Sequence, residues 1–154
     1  MNNEMQVYAP NQPAPLNRFA DEGFNIEIDL STAKTQDCSV SATTDTEKAK
    51  VYNAMNNPDE RIADNINKVI MAKDLYIEVV DCTNTETGEI TPCPRIVIID
   101  DKGRSYQAVS LGIYSALRKV IQIFGAPTWE KAIPLEVKQI TKGERKMLTL
   151  NVKM

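Results

Sequence analysis

Histidine is absent from all 154 residues, which removes the commonest general base and the commonest transition-metal ligand. Cysteine is sparse. Cys38, Cys82 and Cys93 cannot all pair within one chain, and their spacing matches no zinc knuckle or ribbon. Ordinary reduced thiols are the expectation. No GxxxxGKS phosphate loop occurs, and no Ser, Cys or Lys nucleophile has a recognisable base. Asp100-Asp101 has no third carboxylate at a matching distance, and a hairpin turn already accounts for both residues. No apolar run approaches the roughly 20 residues of a membrane helix, and no basic and apolar N-terminal signal pattern appears, so neither a span nor a leader is expected. These absences predict a non-catalytic protein without cofactor or metal, in a reducing compartment, the cytoplasm.

What is present is a normal hydrophobic share, 42%, enough to bury one core. Net charge is −3, but it is unevenly spread. Residues 1–65 carry 5 basic and 11 acidic side chains, a balance of −6, whereas residues 66–154 carry 13 basic and 10 acidic, a balance of +3. The asymmetry places a candidate nucleic-acid surface in the second part.

Pro10, Pro13 and Pro15 make residues 1–20 an extended arm. Phe24, Ile26 and Ile28 alternate with polar residues, as in a strand, and residues 31–44 read as a loop. Thr44 and Glu47 form a capping-box pattern ahead of a helix at 45–56. Pro58 followed by Asp59 and Glu60 suits a second short helix at 58–66. From Lys68 to Asp81 the chain reads as one long strand with a bend near Ala72-Lys73. Strands at 95–100 and 105–109 follow, joined by the Asp101-Lys102-Gly103 hairpin. Ser110 caps a helix whose apolar face holds Ile113, Tyr114, Leu117, Val120, Ile121 and Phe124, with Gly125 as its stop. Ile133–Ile140 and Lys146–Val152 alternate as a final hairpin.

Five strands with one helix between the third and fourth is the order of the OB-fold, a five-stranded Greek-key barrel. An open sheet with a helix on one face gives a similar pattern. The long bent first strand favours the barrel, because closure demands such a bend. The expected division is an N-terminal arm and short strand at 1–44, then an OB-fold domain at 45–154 with two leading helices, its barrel at about 66–154.

An OB-fold binds its ligand across the second and third strands, between the loops joining strands one to two and four to five. On this map Lys138, Lys142, Arg145 and Lys146 crowd the last loop, and Arg95, Lys102 and Arg104 lie on the second and third strands. Phosphates require such cations, and bases stack on aromatic faces. Tyr106 alternates with Ala108, which leaves core and stacking platform both open. Tyr76 sits opposite the inward Leu75 and Ile77, so it points out of the core or caps a barrel end. Trp129 and Tyr114 read as packing residues. A basic hairpin tip is also what ordinary solvation produces, so the pattern alone does not decide.

The run RIVIIDDKGRSYQAVSLGIYSALRKVIQIFGAPTW at residues 95–129, followed by IPLEVKQITKGERKMLTL, resembles the single-stranded DNA-binding proteins of phages and conjugative plasmids of Gram-positive bacteria. Tyr106 through Ser110, the Tyr114–Phe124 helix core, Phe124-Gly125-x-Pro127-x-Trp129 and the basic final hairpin carry the likeness, which covers residues 66–154. The resemblance implies an OB-fold that coats exposed strands during replication or transfer. Many bacterial relatives end in an acidic tip. This chain ends Leu150-Asn151-Val152-Lys153-Met154, so recruitment through such a tip is not expected. The acidic first half supports a different reading, a protein-interaction module such as a phage-encoded inhibitor of a host factor. Self-association through the Pro-rich arm is a further expectation.

Overall fold

The computed structural model describes residues 36–154. The Pro-rich arm and the strand expected at Phe24–Leu30 lie outside the described residues. The elements, in chain order, are β1 (Gln36–Cys38), α1 (Asp45–Asn56), β2 (Glu60–Arg61), a 3-10 turn (Ile62–Asn65), β3 (Val69–Thr83), β4 (Ile90–Asp100), β5 (Ser105–Val109), α2 (Leu111–Phe124), β6 (Ile133–Lys142) and β7 (Arg145–Val152).

The strands form one curled sheet ordered β2-β5-β4-β3-β6-β7, with β1 added to β3. Numbered as barrel strands one to five, β3 to β7 thus pair in the order three-two-one-four-five, and α2 lies between the third and fourth. This is an OB-fold, mostly β with two helices among the described residues, curled into a half-barrel. The first strand serves two partners because it bends. Val69–Ala72 pairs with β6, Ala72–Thr83 pairs with β4, and the register slips between Ala72 and Asp74. The bulged Lys73 turns its carbonyl to the Trp129 amide at 3.0 Å, so the break leaves no orphaned acceptor there.

The barrel interior collects the inward residues Leu75 and Ile77 of β3, Ile96 and Ile98 of β4, and Leu135 and Val137 of β6. Against them α2 buries Ile113, Tyr114, Leu117 and Val120. Its N-cap is Ser110, whose hydroxyl accepts from the Ile113 amide at 3.1 Å. Gly112 lets the helix lie directly on β7, since a Cβ there would sit 2.1 Å from the Leu148 carbonyl oxygen. Trp129 is buried and donates its indole N–H to the Gly125 carbonyl at 2.9 Å.

Three features differ from the sequence reading. Residues 58–66 are not an α-helix. Asp59 and Ser105 exchange bonds instead, Asp59 N to Ser105 Oγ at 3.1 Å and Ser105 N to Asp59 Oδ2 at 2.9 Å. This clasp pulls Glu60–Arg61 into parallel pairing with Tyr106–Gln107. Second, β4 begins at Ile90 rather than Arg95, despite Pro92 and Pro94. N-terminal to Arg95 no residue pairs with β5, and that edge meets only the Ser110 amide, which donates to the Pro94 carbonyl at 3.3 Å, so a missing N–H removes no ladder bond. Third, part of the expected 31–44 loop is β1, paired with Tyr76–Glu78.

Candidate nucleic-acid interface

The surface flanking barrel strands two and three splits into parts of opposite character. The loop joining β3 to β4 (residues 84–89) contains Glu86 and Glu89 and no base. Its backbone is folded on Asn84, whose Oδ1 accepts from Glu86 N at 2.9 Å. The loop joining β6 to β7 is the reverse. Lys142, Arg145 and Lys146 are all exposed, Gly143 turns the tip at φ +62°, and Lys142 pairs with Arg145 at the end of the ladder. Three cations against the single carboxylate Glu144 leave the tip net positive. Lys138, lower on β6, is half-buried and donates to Asn67 Oδ1 at 2.9 Å.

The expected residues of the second and third strands lie elsewhere. Arg95 is on the outer face of β4, its side chain only 16% exposed. It meets Glu78 Oε2 at 3.0 Å and donates to the Met55 carbonyl at 2.7 Å and Gln107 Oε1 at 3.2 Å. It therefore ties the last turn of α1 to the sheet. Arg104 is exposed and ion-paired with Glu60. That partner and Asn65 hold the Glu60 carboxyl below the usual range, and Glu60 in turn raises the guanidinium. Lys102 is exposed in the β4–β5 turn.

Both expected stacking tyrosines are buried. Tyr106 is 9% exposed inside the barrel, and its hydroxyl donates to Asp100 Oδ2 at 3.1 Å. Burial first, then the Asp100 charge, pushes its ionisation up to about 12. Tyr76 is 5% exposed and does point out of the barrel, as expected, but not to solvent. It lies in a second apolar layer with Cys38, Val51, Val97 and Ile99, and donates to Glu78 Oε2 at 2.9 Å. Burial raises its ionisation as well. In this conformation neither ring offers a free face.

Tyr106 is covered by the barrel core, whereas Tyr76 is covered by α1. The helix lies across the outer face of β3 and β4, barrel strands one and two. It thus covers part of the strand-two and strand-three surface where an OB-fold conventionally takes its ligand. The Thr44–Glu47 capping box forms as expected, with Glu47 N to Thr44 Oγ1 at 3.2 Å and Thr44 N to Glu47 Oε1 at 3.1 Å. Val51 is its single buried residue. No helical stripe announces this docking, because Val51 is assisted only by the half-buried Ala54 and Met55.

On the other side, between α2 and the β6–β7 hairpin, lies an open groove of about 560 Å³. Its lining includes Ile123, Phe124, Ile140 and Met147, all exposed, with Lys119 and Lys142. Among the described residues no group of three or more His, Cys, Asp or Glu could hold a metal. The Asp100 carboxylate instead accepts from the Lys102 and Arg104 amides, both at 2.9 Å.

A half-open OB barrel with a cationic β6–β7 loop belongs to the class of oligonucleotide- and oligosaccharide-binding modules. The family model described as phage single-stranded DNA-binding protein, of the phi29 type, matches residues 31–153. The chain belongs to that family, and binding of single-stranded DNA is its role. No curated protein and no solved structure matches it. Among the described residues no helix is long and apolar enough to cross a membrane.

Proposed function

We propose that this protein coats exposed single-stranded DNA during replication or transfer of a phage or plasmid, without catalysis and with little sequence preference. The observation that carries the reading is the β6–β7 tip, where Lys142, Arg145 and Lys146 stand exposed beside the half-barrel. Their role is phosphate contact, which reads no base sequence. Arg95, Arg104 and Lys138 are engaged with protein groups, so they contribute only where DNA displaces those partners, as do Tyr76 and Tyr106. Lys102 adds a cation from the β4–β5 turn. The same reading puts the protein in the cytoplasm and gives the Pro-rich arm a role in self-association on the strand.

Changing Lys142, Arg145 and Lys146 together to Ala tests it. The log–log salt slope of oligo-dT binding should fall by roughly 2, at about 0.7 per single-strand phosphate contact. An unchanged slope removes the tip from the site.

A further inference from the structure

We infer that the groove between α2 and the β6–β7 hairpin is a base-binding subsite for single-stranded DNA, with Phe124 as its stacking platform. The inference rests on the reading of the basic tip above and extends it.

A single strand is amphipathic, with anionic phosphates on one side and flat apolar bases on the other. Its receptor therefore needs an apolar floor beside a cationic rim. Among the described surfaces this groove combines both. Phe124 is 42% exposed at the end of α2, where Gly125 ends the helix at φ +88° and leaves the ring at its edge. Ile140 and Met147, both exposed, continue the floor from β6 and β7. Lys119 stands one helical turn before Ile123, and Lys142 enters from the hairpin. Beyond Lys142 the tip adds Arg145 and Lys146, which outnumber its one carboxylate, Glu144. The volume, about 560 Å³, is within the range of small-ligand clefts.

The alternative faces are less suited to a strand. The outer face of β3 and β4 is under α1, and its one arginine is already bound to Glu78, Met55 and Gln107. The β3–β4 loop carries Glu86 and Glu89, which repel phosphate. The route open without any rearrangement runs from the basic tip into the α2 groove, with bases turned toward Phe124. Apolar exposure of this kind also fits a protein partner, but cations at both walls complement a polyanion.

The test uses the full-length protein and labelled oligo-dT in an anisotropy titration. Phe124→Leu keeps the apolar volume and loses the aromatic face. It should weaken binding roughly 5- to 150-fold, the span of one stacked base, while Phe124→Tyr binds as the native chain does. Lys119→Ala should lower the salt slope by about 0.7. Native affinity in Phe124→Leu, with an unchanged slope in Lys119→Ala, overturns the subsite. So does a fall in molecular mass by sedimentation with DNA affinity unchanged, which would make the groove an interface between copies. Failure of the tip is separately visible: the Lys142, Arg145 and Lys146 variant would then keep its slope while Phe124→Leu still loses affinity.

Discussion

The two helices lie on opposite faces of one sheet and are held in different ways. α2 buries four residues, Ile113, Tyr114, Leu117 and Val120, and rests on β7 through Gly112. α1 buries only Val51 and is tied at its end by a carbonyl bond from Arg95. One helix completes the core, and the other is laid over a surface that OB-folds usually leave open. The side that α2 and the hairpin leave unfilled is also the side where unpaired cations gather. Helix cover and free charge thus divide the molecule into a closed face and a receptive one.

The largest expected effect is on the α2 side. Leu117→Ala should cost about 2–5 kcal/mol in denaturant unfolding, as deletion of a fully buried leucine does. A loss near zero would mean α2 is not core. Gly112→Ala forces a Cβ against the Leu148 carbonyl and should cost about 1–3 kcal/mol. On the other face Val51→Ala should cost only about 1 kcal/mol. A loss as large as that at Leu117 would abolish the distinction between the helices.

A more disruptive change on the same face, Val51→Asp, should undock α1 and leave oligo-dT affinity unchanged if the strand runs through the α2 groove. A rise in affinity would move the strand to the outer face instead. The smallest signal is spectroscopic. Undocking should bring Tyr76 ionisation down toward the ordinary tyrosine range of about 10, leaving Tyr106 at about 12. Because both folded values lie above the unfolded one, the stability they contribute is complete below pH about 10. It is lost as pH rises toward about 12, which absorbance titration and thermal melts at matched pH would follow.

The barrel was legible because its cues are local. Ser110 and Gly125 bracket α2, Asp101-Lys102-Gly103 marks a hairpin, and the length of β3 forces a bend, found at Lys73. The basic tip was legible for the same reason. What escaped depends on partners distant in sequence. Asp59 forms its clasp 46 residues away at Ser105, which overrides a plausible helix start. Tyr76 looked outward correctly, yet burial came from Val51 and Cys38, whose docking has no periodic signature. Phe124 was assigned to the apolar helix face, and only the end of the helix at Gly125 exposes it.

The account rests on preference for an unpaired strand, so the decisive measurement is anisotropy of labelled oligo-dT and of a duplex of equal length across rising salt. The account predicts tight binding to the single strand that weakens steeply with salt, and much weaker binding to the duplex. Equal affinity for both forms, or no binding of the single strand at low salt, would contradict it.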